Sequence, residues 1–195
     1  MKKLIITGFM TMAIFGTASG IAQSVADDLS PTQHEVLERA IHSNDYQAVV
    51  KMLDKGLDIN GTIDGDGTLL IMAIKAGHDA MVYSLIDAGA DVNLTAVADG
   101  NPLISAAMMN NLSVAQRLVD EGALVDALVE HDETALINAS RMGHFEMVKF
   151  FVEKGADVNL GVHVNTVKGS IYRSPLNGAK TDEIRHYLLR MGAKA

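Results

Sequence analysis

"AGADVNL", residues 88–94, returns as "KGADVNL" at 154–160 and in fainter form as "KGLDING" at 55–61. Reading outward from these stretches uncovers a fixed step. Gly56, Gly89, Gly122 and Gly155 lie 33 residues apart, and so do Ala40, Ala73, Ala106 and Ala139. The same step carries Leu37, Leu70, Leu103 and Leu136, and the polar column Asn60, Asn93, Asp126 and Asn159. Columns that stay in register without insertion or deletion mark an internal repeat, in which one supersecondary unit is copied and stacked.

Each unit has a readable plan. A polar turn leads to "TLL" at 68–70, "NPL" at 101–103 and "TAL" at 134–136. Thr or Asn there can accept from the free N–H groups of a following helix, and Pro102 suits a first-turn position that needs no N–H. A short helix with small residues follows ("AIKAG", "AAMMN", "ASRMG"), then a second, amphipathic one ("DAMVYSLIDAG", "SVAQRLVDEG", "FEMVKFFVEKG"). Glycine ends the second helix in the left-handed conformation it adopts without steric cost. The recurring "GADVN" is therefore a helix stop and a hand-over to the next unit.

This pattern resembles the ankyrin repeat. The run "TALINASRMGHFEMVKFFVEKGADVN" at 134–159 is its best match, 68–93 follows closely, and Gly77-His78 and Gly143-His144 reproduce the family's Gly-His step. The similarity extends from about residue 31 to the C-terminus. The resemblance implies an all-α ankyrin-repeat solenoid of about five stacked helix-turn-helix units with projecting loops, at about 31–60, 61–93, 94–126, 127–159 and 160–195. No unit buries its apolar face alone, so neighbours share one core. The first unit reads as an N-terminal cap with polar Gln33, Glu35 and Glu38. In the last, Thr134 to Ser174 spans 40 residues instead of 33, so seven are inserted in its loop. Its first helix should be three residues short, since Ala139 to Gly155 is 16 but Ala179 to Gly192 is 13.

Residues 1–26 read differently. "MKK" is a basic start, "LIITGFMTMAIFGTASGIA" carries no charge, and Ser24-Val25-Ala26 offers an A-x-A-like cleavage site. These are the marks of a signal peptide, cleaved to leave 27–195 as the repeat domain. The expectation is a periplasmic bacterial protein, with full secretion less favoured and no membrane association after cleavage. The absence of Cys excludes both a lipid-modified cysteine and disulfide staples. A composition 48% apolar can bury a core, while a net charge of −8 and the lack of Trp disfavour nucleic acid as a partner.

Catalytic constellations are missing from the sequence. No Gly-x-Ser-x-Gly elbow occurs, no thiol exists, and "DGDG" at 64–67 lacks the Glu that would complete a calcium loop. The resemblance implies that His78 and His144 bond backbone rather than metal. The expectation is a non-catalytic protein with no cofactor and no metal, which binds another protein and is monomeric when free.

The resemblance also implies where binding occurs, since ankyrin loops project like fingers beside a concave groove lined by the first helices. Carried along the repeat, the groove columns are Arg39, Met72, Ser105 and Asn138; His42, Lys75, Met108 and Arg141; and Ser43, Ala76, Met109 and Met142. Met72, Met108, Met109 and Met142 would form a soft, adaptable apolar surface, unless they simply pack between helices. The fingers carry acids: Asp64 and Asp66, then Asp99, then Glu130, Asp132 and Glu133. They form a solvated surface or steer a basic partner. The enlarged last finger, "GVHVNTVKGSIYRSP" at 161–175, reads as a β-hairpin around Lys168-Gly169 that either shields the last helix pair or offers His163, Lys168, Tyr172 and Arg173 as contact candidates.

Two functions fit these features. The first is an inhibitor or immunity protein that occludes a periplasmic hydrolase. The alternative is an accessory factor for peroxide defence acting with catalase, a role associated with some exported ankyrin proteins that this chain resembles.

Overall fold

The computed structural model describes residues 31–63, 67–96, 100–129, 133–166 and 169–194. The signal-peptide reading of 1–26 lies outside them. Helices come in pairs: α1 (Pro31–His42) with α2 (Tyr46–Leu53), α3 (Leu69–Lys75) with α4 (Asp79–Asp87), α5 (Pro102–Met108) with α6 (Leu112–Asp120), and α7 (Ala135–Met142) with α8 (Phe145–Glu153). A final helix, α9 (Asp182–Arg190), closes the array. First helices stack in the order α1, α3, α5, α7, and second helices in the order α4, α6, α8, α9. None of these helices is long and apolar enough to cross a membrane.

The repeated columns have separate physical jobs. Leu37, Leu70, Leu103 and Leu136 are each at most 1% exposed and fill the space between the helices of a pair and their neighbours. Ala73, Ala106 and Ala139 are fully buried, because only a methyl group fits where successive first helices approach. The caps fall where the sequence places them. Thr68 accepts from the Ile71 N–H at 3.3 Å, Asn101 from Ile104 at 2.8 Å and Thr134 from Ile137 at 3.2 Å. Each such cap stabilises its helix by about 1 kcal/mol.

Two helix stops require a left-handed residue. After α4, Gly89 (φ +97°) lets its own N–H reach the Ile86 carbonyl and the Ala90 N–H reach that of Leu85, which satisfies two otherwise orphaned acceptors. The stop after the first helix of each pair is a second left-handed column, Asn44, Gly77, Asn110 and Gly143, in which Asn alternates with Gly. Asn is the side chain that best tolerates this region.

The Asn column joins unit to unit. Asn60 Oδ1 accepts from the Asp91 N–H at 2.8 Å and Asn93 Oδ1 from Leu124 at 2.9 Å. Asp126 accepts from Asp157, and Asn159 Oδ1 from Lys194 at 2.9 Å. Asn93 and Asn159 also donate through Nδ2 to the Gly122 and Gly192 carbonyls, a bond the Asp126 carboxylate cannot make.

The all-α expectation needs one correction: the fingers carry short antiparallel strands. β1 (Thr62–Ile63) pairs with β2 (Gly67–Thr68), Ala96 bridges Gly100, and β3 (Val162–Thr166) pairs with β4 (Gly169–Arg173). The last pair is the hairpin expected from the inserted loop. A second correction concerns the final unit, whose first helix is replaced by a turn. There the Ser174 N–H donates to Asn177 Oδ1 at 2.7 Å and the Asn177 N–H to Ser174 Oγ at 3.3 Å. With Pro175 inside this reciprocal lock and Gly178 after it, the segment is too short and too interrupted to propagate a helix.

Candidate protein-binding surface

The first helices define the groove, but their columns do not share one fate. Met72, Ser105 and Asn138 are buried, at 7%, 4% and 2% exposure. Met72 is therefore core packing that reaches only the floor of the groove, which corrects the expectation that it belongs to an exposed methionine run. Asn138 is buried because its amide is satisfied locally, by the Glu133 and Thr134 carbonyls. The next two columns do face the groove. His42, Lys75, Met108 and Arg141 are exposed, as are Ser43 and Met109, while Ala76 and Met142 are half-buried. Met108 and Met109, at 44% and 50%, lie next to each other at the end of α5.

At the start of the groove, Glu38, Ile41, His42, Met72, Lys75 and Ala76 line a hollow of about 330 Å³. A larger cleft of about 570 Å³ opens at the other end of the stack, where Tyr172, Leu176, Asn177, Arg185 and Leu189 surround the space beside the missing helix. The sequence shows the shortened helix but not this cleft.

Glu133 departs furthest from expectation. Its side chain is 5% exposed, so it is no finger-tip acid. Arg141 Nε donates to Glu133 Oε2 at 3.0 Å, and Arg173 Nη1 donates to Glu133 Oε1. Arg141 also donates through Nη2 to Asn138 Oδ1 at 2.9 Å. One carboxylate thus joins the base of the third finger, the groove helix α7 and the hairpin strand β4. Three candidates that the sequence scatters over a groove and two fingers are one cluster.

On the hairpin, His163 and Tyr172 are opposite one another with ring centroids 5.2 Å apart. A side chain at Gly161 would collide with the Tyr172 ring, whose hydroxyl lies 2.2 Å from where its Cβ would stand, so glycine there lets the ring fold across the hairpin base. Ile171 and Tyr172 remain 45% and 48% exposed. Asp64, Asp66, Asp99, Glu130, Asp132 and Lys168 lie outside the described residues.

The Gly-His columns bond backbone as the resemblance implied. His78 Nε2 lies 3.2 Å from the His42 carbonyl and His144 Nε2 3.3 Å from that of Met108, each across a unit boundary. In the last unit Lys180 takes this place, with Nζ 3.2 Å from the Met142 carbonyl. Among the described residues no group of His, Asp or Glu is arranged to hold a metal ion.

The family model for ankyrin repeats (3 copies) matches residues 37–128 and again residues 70–161. The chain belongs to the ankyrin repeat family. Ankyrin arrays are in general non-catalytic scaffolds for protein–protein interaction, and this chain shares their stacked architecture and helix stops. No curated protein matches the chain.

Proposed function

We propose that this ankyrin scaffold is exported to the periplasm, where it binds and inhibits a hydrolase in an immunity or self-protection role. The observation that carries this reading is the anchored hairpin. Arg173 ties β4 to the buried Glu133, which itself holds α7, so the enlarged finger stands rigidly beside an exposed methionine surface. A rigid projection next to an adaptable apolar patch suits occlusion of an enzyme cleft, because little conformational freedom is lost on binding. The chain offers a partner contact area and charge.

The test is affinity capture of the processed protein from its own periplasm, followed by assay of whatever enzyme is recovered. A hydrolase that loses activity when one equivalent of the purified chain is added is the expected result. Capture of no enzyme, together with no protection on co-expression, would sink the reading. The exposure of Met108 and Met109 favours one second reading, an accessory role in peroxide defence alongside catalase, since accessible thioethers are readily oxidised. A deletion strain with normal peroxide survival and full catalase activity would remove it.

A further inference from the structure

The charges of this protein are segregated. The chain is acidic overall and its fingers carry acids, yet the groove end of α7 is basic. Arg141 and Arg173 share the single buried carboxylate of Glu133, and Lys180 adds an ammonium group through its contact with the Met142 carbonyl. Two cations therefore share one anion, and a third stands at the C-terminal end of α7. The bonds among the described residues use two of Arg141's N–H groups and one of Arg173's. Both arginine side chains stay open to solvent, at 41% and 33% exposure, while the carboxylate between them is 5% exposed. Glu133 thus acts as a buried anchor that holds two guanidinium groups at the surface and offsets only one of their two charges. At the opposite end of the groove, Glu38 shares the hollow with Lys75, so an acid stands beside that cation.

By the repeat register Met108 and Met109, at the end of α5, stand beside Arg141 and Met142 of the stacked α7. We propose that the Arg141–Arg173–Lys180 cluster is a carboxylate-recognition site, and that its occupant is an acidic segment of a partner protein whose carboxylates alternate with apolar side chains. Planar guanidinium groups held in place match carboxylates through paired hydrogen bonds, and the neighbouring thioethers accept apolar side chains of varied shape. A nucleic acid would meet the same cations, but the surrounding acidic chain repels an extended polyanion. This inference rests on the scaffold reading above and specifies the chemistry of its partner. It reverses the expectation of a basic partner drawn from the acidic fingers.

The probe is a fluorescein-labelled (Glu-Leu)4 peptide, titrated into the full processed chain at low salt and followed by anisotropy. (Lys-Leu)4, (Glu-Ser)4 and a single-stranded oligonucleotide serve as comparisons. The expected result is binding of (Glu-Leu)4 at least tenfold tighter than the others, weakening as salt is added. Arg141→Gln should reduce that affinity about tenfold, with Arg173 still holding Glu133. Lys180→Gln should reduce it several-fold in a protein that remains folded by circular dichroism, and Met109→Ser should do the same. Equal or tighter binding of (Lys-Leu)4 or of the oligonucleotide would overturn the proposal, as would full affinity in the folded Arg141→Gln and Lys180→Gln proteins. If (Glu-Leu)4 binds as expected while periplasmic capture recovers no hydrolase, the site stands and the inhibitor reading falls. If a hydrolase is captured equally well by wild type and both variants, the inhibitor reading stands and the site falls.

Discussion

Arg173 in the hairpin and Glu133 at the base of the preceding finger form an ion pair across 40 residues of sequence, with the carboxylate shielded from solvent. This contact decides how the enlarged finger behaves. Glu133→Ala removes the acceptor for both arginines. Charged hydrogen bonds contribute about 1.5–3 kcal/mol, and the partial exposure of the arginines lowers that figure. The substitution should cost about 1–2 kcal/mol in a urea melt. Amide exchange at 169–173 should accelerate before exchange in α5 does, and uniform acceleration through the array would show that the pair does not anchor the hairpin.

The Asn column permits a stabilising change. Asn93 and Asn159 each donate to a glycine carbonyl in the next unit, which Asp126 cannot do. Asp126→Asn should add that bond at Gly155 and raise stability by about 0.5–1 kcal/mol, seen as a higher urea midpoint with an unchanged slope. Asn93→Ala should move the midpoint the other way by about 1–2 kcal/mol, since both its bonds are lost.

Left-handed positions give a third test. Asn44 (φ +57°) and Asn110 (φ +53°) stand in the column that Gly77 and Gly143 also occupy. Asn110→Gly should be neutral or stabilise by up to about 1 kcal/mol, whereas Gly143→Ala should destabilise by about 1–2 kcal/mol. Alanine at 143 also brings its Cβ to 3.0 Å from the Lys180 side chain. Circular-dichroism melts of the two variants should shift in opposite directions, or only the second should shift.

Methionine oxidation separates surface from core. Peroxide should convert Met108 and Met109 to sulfoxides well before Met81 and Met147, which are 1% and 0% exposed. Peptide mapping by mass spectrometry after brief exposure reads this directly. Met72, at 7%, should follow the core group, and early oxidation there would contradict its buried placement.

The stacking was legible in the sequence because its causes are local and periodic. Leu103, Ala106, Gly122 and the Asn101 cap each serve a short-range need that recurs in every unit. Met72 was placed in the groove by repeat register, which does not separate the exposed member of that column, Arg39, from its buried members Met72, Ser105 and Asn138. The burial of the two polar ones depends on hydrogen bonds within the array, such as those from Asn138 to the Glu133 and Thr134 carbonyls. Glu133 was grouped with its acidic neighbours because sequence does not reveal which finger residue turns inward. That depends on Arg173, which the seven-residue insertion moves out of the repeat's register. The loss of the last first helix followed a similar course: the count showed a shortened segment, while the Ser174–Asn177 lock that stops it became visible only in three dimensions.

The tethers from each Asn or Asp reach one unit forward and no further, so among the described residues they form no long-range clasp. Cohesion in such a chain passes only between adjacent units. Peeling should therefore begin at α9, whose companion helix is replaced by a turn, and run inward one unit at a time. A protease or a pulling force applied at the C-terminus would meet a staircase of small barriers instead of one large one.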